Sequence, residues 1–187
     1  MAGDFDGDGH ADIYAVQNSA APSPAMGRFD GGLSQLLHGD GLGHFSALPP
    51  IESGLIVTGA AKAVAVVDLD DDGWPDFLVT RNDASPMAYR NQGVAGRHSL
   101  HVGLRGSAGN RQAIGALVTV EMTDGTTQNA AVAAAEVYVA ASTVGCYFGF
   151  SDANPPRLVR VRWPDGSSSS HDVTPKTTVL SLTLPGN

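Results

Sequence analysis

The sequence predicts an all-β chain, a pair of partial propeller-like blades followed by a β-sandwich-like domain, on three observations. A nine-residue pattern, D-x-D-x-D-G-x-x-D, occurs twice, as Asp4-Phe5-Asp6-Gly7-Asp8-Gly9-His10-Ala11-Asp12 and as Asp68-Leu69-Asp70-Asp71-Asp72-Gly73-Trp74-Pro75-Asp76. Each copy runs into an apolar, β-prone stretch, Ile13-Tyr14-Ala15-Val16 and Phe77-Leu78-Val79-Thr80. Further along, short runs alternate apolar and polar residues, while 23 Gly and 11 Pro supply turns and no helical period is long enough to compete with strands. The character changes past Gly93, so the expected units are 1–95 and 96–187.

The aspartate loops read as sites for a hard cation. Carboxylates at positions 1, 3 and 5 of a tight loop point at one centre, glycine at position 6 permits the turn, and the position-7 carbonyl adds an oxygen. The expected ligands are Asp4, Asp6, Asp8 and Asp12 with the carbonyl of His10, and Asp68, Asp70, Asp72 and Asp76 with the carbonyl of Trp74; Asp71 is left to face solvent. A flexible all-oxygen shell favours Ca²⁺ over Mg²⁺, so two Ca²⁺ sites are expected. A helical EF-hand is excluded, because its twelfth position needs a bidentate Glu and holds Ala15 and Val79 here. The plain alternative is a solvated acidic turn, since Asp and Gly are common turn formers. Mutual repulsion of four or five carboxylates within nine residues, found twice with the same flanks, favours the cation.

Charge and cysteine content narrow the classes of partner. Nine of the 19 acidic residues lie in the two loops, and two Ca²⁺ would halve the formal charge of −8. An acidic chain without a basic stripe argues against nucleic acid and anionic membranes, and no apolar run is long enough for membrane insertion. Cys146 is the only cysteine, which excludes an internal disulfide and predicts a small buried hydrophobe. Loop sites of this kind fill at about 10⁻⁴–10⁻³ M calcium, an extracellular level. No signal peptide is present, so a mature form or a fragment is expected.

Taken in order, only Met1, Ala2 and Gly3 precede the first loop, whereas Ala63-Val64-Ala65-Val66-Val67 forms a full strand ahead of the second. The first loop is therefore expected to lack its leading strand, leaving it to a longer chain or to another copy. Residues 18–32 read as an irregular connection, and Leu33-Ser34-Gln35-Leu36-Leu37 leads into a hairpin turn at 38–45. A Pro-containing loop runs to about residue 60, and the aspartate pattern returns with a period of 64. Beyond residue 95, strands are expected at 100–104, 116–120, 158–163 and 178–184, with turns at 123–126 and 164–166. The Ala-rich run 130–141 is ambiguous between helix and strand, and residues 167–170, four serines, read as a polar loop tip.

Catalytic constellations are missing from the pattern: neither paired carboxylates outside the loops nor a Ser/His/Asp arrangement on an elbow-like turn is visible. His98 and His101, three apart in a strand, fall on opposite faces. Trp74 is expected to pack over its hairpin in preference to binding sugar, Arg111 to fix a loop through carbonyls, and Trp163 to pack in a core.

These residues carry a resemblance. The aspartate loops with their strands resemble FG-GAP/VCBS repeats, the calcium-binding blades of integrin-α-like propellers. The second half resembles the ASPIC/UnbV domain through Asn110-Arg111-Gln112-Ala113-Ile114-Gly115-Ala116-Leu117-Val118, Tyr147-Phe148-Gly149-Phe150, and Val159-Arg160-Val161-Arg162-Trp163-Pro164-Asp165-Gly166. Phe150 stands where that family more often has Leu, and only one repeat is complete ahead of the domain. The resemblance implies an extracellular or cell-surface bacterial protein, stabilised by calcium and used in adhesion or structure.

The functional expectation is thus a non-catalytic, calcium-stabilised extracellular protein. The absent strand and open sheet edges predict a homo-oligomer or filament formed by strand addition. Glycans are the alternative partner, in a lectin-like adhesin module, and an accessory domain of a larger secreted enzyme is the third reading.

Overall fold

The computed structural model describes residues 1–18, 25, 32–134 and 145–186, and their strands build four sheets that are antiparallel except where the last strand joins. The expected irregular connection at 18–32 falls largely outside the described residues, as do residues 135–141 of the Ala-rich run. Ala130 and Ala131 of that run are in a strand.

The first sheet has β1 (Ala2–Gly3), β2 (Asp12–Ala15), β3 (Gln35–Gly39) and β4 (Phe45–Leu48) in sequence order, all antiparallel. Its first strand corrects the expectation of a missing one. Ala2 pairs with Ile13 and Gly3 with Asp12, and Met1 exchanges two hydrogen bonds with Tyr14, so residues 1–3 themselves lead into the loop. A short helix, α1 (Pro50–Ser53), interrupts the expected Pro-rich loop and ends on Gly54 at φ 70.

The second sheet repeats the plan with β5 (Ala61–Val67), β6 (Asp76–Arg81) and β7 (Ala84–Tyr89). In both sheets the aspartate loop joins the first strand to the second. Between the sheets, Phe5, Tyr14, Val57, Val64, Val66, Phe77 and Val79 form one buried cluster. Phe77 meets the edge of Phe5 at 4.8 Å and Tyr14 at 4.5 Å, so the residue after each loop's first or last aspartate anchors the loop to the core.

The remaining strands form two sheets over a second core. β8 (Arg97–Arg105), β11 (Gly145–Ser151) and β14 (Val179–Thr183) make one, with β14 parallel to β8; β9 (Leu117–Met122), β10 (Thr127–Ala131), β12 (Pro156–Arg162) and β13 (Ser168–Asp172) make the other. Leu100, Val102, Cys146, Phe148 and Phe150 from the first meet Val118, Val120, Val159 and Val161 from the second, with Trp163 closing the end. Period-2 alternation puts one face of β8, β9, β11 and β12 into this core, and the other face of β8 and β11 is therefore free for a different contact.

The serines at 167–170 are a correction. Three of them lie in β13, which pairs with β12 from Leu158↔Asp172 to Arg162↔Ser168. The turn before it copies the turn before β10: Trp163 N–H donates to Ser167 O and Asp165 caps Ser167, as Met122 N–H donates to Thr126 O and Asp124 caps Thr126. An edge strand with a solvated face needs no apolar residues, so composition hid it. Trp163 Nε1–H donates to Ser169 Oγ at 3.0 Å, giving the buried indole its partner.

Candidate metal centres

Each aspartate loop is folded by its own carboxylates. In the first, Asp4 Oδ1 accepts from Gly7 N–H (2.8 Å) and Oδ2 from Gly9 N–H (2.8 Å). Asp8 Oδ1 accepts from His10 N–H (2.8 Å), and Asp12 accepts from Phe5 N–H (3.0 Å) and Gly39 N–H (2.9 Å). The second loop follows the same plan with one shift: Asp68 takes Gly73 N–H and, one position later than its counterpart, Asp72 N–H, while Asp72 takes Trp74 N–H and Asp76 takes Leu69 N–H and Asn91 N–H. Asp71, at φ 58 and exposed, turns outward.

These bonds bring carboxylate oxygens together. Single oxygens of Asp4, Asp6 and Asp8 lie within 4.8 Å of one another, and so do single oxygens of Asp68, Asp70 and Asp76. Asp12 joins Asp6 in a further group with the imidazole of His38, while Asp72 lies outside the second loop's group of three. His10 is exposed and its ring lies over Gly41; Trp74 is half-buried. Burial pushes Asp4 up to about 6 and raises Asp12 as well, in both cases against the hydrogen bonds that favour the carboxylate. Hard oxygen donors held this close, and costly to ionise without a neutralising charge, fit a divalent cation.

Several residues of the site were not singled out by the sequence. Arg97 Nη1 lies 2.7 Å from Asp6 Oδ2, Arg90 Nη1 lies 2.9 Å from Asp70 Oδ2, and His38 stands among Asp6, Asp8 and Asp12. A local repeat announces two of them: Leu37-His38-Gly39-Asp40-Gly41 corresponds to Tyr89-Arg90-Asn91-Gln92-Gly93, each strand end feeding one amide to the last aspartate of its loop. Asn91 also donates from Nδ2 to Phe5 O at 2.8 Å, tying the second repeat to the first loop.

Both loops press on the outward face of β8 and β11. Gly149 N–H donates to Asp4 Oδ2 at 2.9 Å, and a Cβ on Gly149 would overlap that oxygen and the Gly7 backbone. A Cβ on Gly7 would lie 2.7 Å from Trp74 Cη2 and 3.0 Å from His98 O; one on Gly73 would lie 2.6 Å from Thr178 O and 3.0 Å from Ser99 O. His101 approaches the second loop, Nδ1 to Asp68 Oδ2 at 3.8 Å, and stacks on Tyr147 at 4.5 Å; burial lowers its basicity. His98 lies on the other side of β8, on Phe150 and against Asp152, so the two histidines part as the strand period requires.

Trp74 packs between Gly7 and Gly93. In the loop before β9, Asn110 does the fixing, its side chain donating to Ile114 O and accepting from Ile114 N–H. Arg111 contributes its backbone carbonyl, to Gly106 N–H, and its side chain is exposed.

No curated protein matches the chain. Residues 4–79 match the family of FG-GAP-like repeats and residues 106–186 match that of ASPIC and UnbV. The first match takes in both loops together with β2 and the first four residues of β6, and the second begins at the Gly106 loop and ends past β14. The chain is an FG-GAP-like repeat protein with a C-terminal ASPIC/UnbV domain.

Proposed function

We propose that this is a non-catalytic structural or adhesion protein of the bacterial cell exterior, in which Ca²⁺ bound by the aspartate loops holds the repeat region against the C-terminal domain. The observation that carries the reading is the position of the loops. The same nine-residue cradle is built twice, and both copies rest on the outward face of β8 and β11, where Asp4 takes the amide of Gly149. Asp4, Asp6, Asp8 and Asp12, with the carbonyl of His10, hold one ion; Asp68, Asp70, Asp72 and Asp76, with the carbonyl of Trp74, hold the other. A shell of protein oxygens suits a structural ion better than a Lewis acid. Among the described residues no helix is long and apolar enough to cross a membrane.

Self-assembly remains the finer form of this reading, but its support moves. Residues 1–3 already pair with β2, so the edges of the first sheet are β1, only two residues long, and the longer β4. Phe45 on that strand is exposed, and so are Leu42 before it and Ile51 after it, an apolar edge that a second copy would cover. Trp74 packs against Gly7 and Gly93, and a lectin-like module that takes a glycan beside the loops stays the alternative form of the proposal.

Light scattering after size-exclusion, in millimolar calcium and again in chelator, tests both parts. Assemblies that form in calcium and dissociate in chelator are expected. A monomer at every concentration removes the assembly, and thermal stability that is the same in chelator removes the calcium.

A further inference from the structure

The internal repeat leaves one strand without a counterpart. β3 corresponds to β7 through 37–41 and 89–93; in the first sheet β4 covers β3, whereas among the described residues β7 pairs with β6 alone. The chain passes from β7 to β8, which lies in another sheet, so the outer edge of β7 stays unpaired. Ala84, Ser85, Pro86 and Ala88 on it are exposed. β4 likewise pairs with β3 alone, and Phe45, Ser46 and Ala47 on it are exposed. Pro86 withholds one backbone donor, but it corresponds to Ser34, ahead of β3, and leaves 87–90 able to pair.

Charge distinguishes the two edges. Between 32 and 61 there is no Lys or Arg, and the acidic residues Asp40 and Glu52 stand on either side of β4. Glu52 is exposed and has no partner among the described residues. β7 runs between Arg81 and Arg90, with Asp83 the one acidic residue of 80–91. The Arg81 guanidinium donates to the carbonyls of Ser85 and Thr58 and to the Thr58 hydroxyl, none of them charged. That of Arg90 reaches Asp70 and is more than half exposed.

The geometry points to an unlike pair: we propose that β4 of one copy lies along β7 of the next, joining the first sheet of one chain to the second sheet of its neighbour. The proposal rests on the self-assembly reading and names its two surfaces. β4 against β4 would set Asp40 and Glu52 against their own copies, and β7 against β7 would bring arginines and Pro86 together. The unlike contact puts acidic ends near basic ones and satisfies backbone groups on both strands. Leu42, Phe45 and Ile51, exposed on and beside β4, gain cover from the same neighbour. Because the two edges differ, every added copy presents a fresh β4 at one end and a fresh β7 at the other, so the assembly grows as a fibre unless its rotation closes a ring.

The test uses the full chain in millimolar calcium, with Ser46→Cys and Ala88→Cys prepared separately. Both positions are exposed, and Cys146 is buried. A bis-maleimide of about 10 Å span tolerates a slip of about three strand residues. It should join the two variants when they are mixed and give at least about tenfold less product with either alone, the linked peptides being identified by mass spectrometry. Glu52→Arg should raise the concentration at which half the protein assembles by at least about threefold. Linkage of Ser46→Cys to itself as readily as to Ala88→Cys overturns the unlike pairing, as does a Glu52→Arg variant that assembles like the wild type. Assemblies whose mixed variants give no cross-link overturn it too, while self-assembly itself stands. A wild type that light scattering shows to be monomeric at every concentration removes the self-assembly reading as well.

Discussion

Gly149 shows how much depends on one missing methyl group. It sits in a regular strand, so alanine there is conformationally acceptable, yet a Cβ would overlap Asp4 Oδ2 and the backbone of Gly7. Gly149→Ala is therefore expected to cost about 1–3 kcal/mol through overpacking, read as a lower midpoint in urea. The same substitution at Gly125, whose Cβ would meet nothing, carries the strain of φ 85 and no such collision, and should leave Asp4 in place. Legibility at this scale follows sequence distance. The aspartates announce themselves because their spacing is local, whereas the bond from Gly149 to Asp4 joins residues 145 apart and leaves no trace in either neighbourhood. His38 is intermediate: as a single histidine it says nothing, and it becomes visible only when 37–41 is set against 89–93.

Among the elements, strands with one buried face were readable and the polar edge was not. β8, β9 and β12 alternate in sequence as they do in burial, with Leu100, Val102 and Leu104, then Val118, Val120 and Met122, then Val159 and Val161 turned inward. β13 has no such signature, because both its neighbours and its solvent face accept serine. Its place is fixed by the Pro164-Asp165-Gly166 turn and by Ser169, which receives the indole N–H of Trp163. Ser169→Ala leaves that buried donor unpaired and should lower stability by about 1–3 kcal/mol in urea denaturation, while Ser168→Ala, exposed on the same strand, should change it by less than about 0.5 kcal/mol. Equal effects of the two would show that the strand is held by its ladder alone. β1 was missed for a different reason: two residues carry no period, and only the partner strand reveals them.

At the scale of the whole molecule, two cores are joined through the aspartate loops. Arg90 and Arg97 flank the passage from β7 to β8, and each is paired with a loop aspartate, Asp70 and Asp6. If cations fix those loops, trypsin should cut after Arg90 and Arg97 slowly in millimolar calcium and at least about tenfold faster in chelator, with the fragments identified by mass spectrometry; cutting goes through local opening, whose population rises as the bound ion is lost. Equal rates in both solutions would mean that the packing of glycine on strand suffices without metal. The all-β architecture and its two families were legible because each rests on contiguous motifs. How one half meets the other was not, since that contact is made of glycines, backbone amides and one carboxylate, which sequence statistics treat as turns.

β8 leaves the second blade where β4 stays in the first: each follows its sheet's third strand through a short glycine-containing turn, but β8 pairs with β11 and β14 instead of with β7. The repeat array is thereby one-ended. Blades grafted ahead of β1 would leave every contact of β8 in place, whereas a blade inserted between β7 and β8 would carry the second loop away from Ser99 and Thr178. Length in such a chain is free to vary at one end and is stopped at the other by the strand that both halves share.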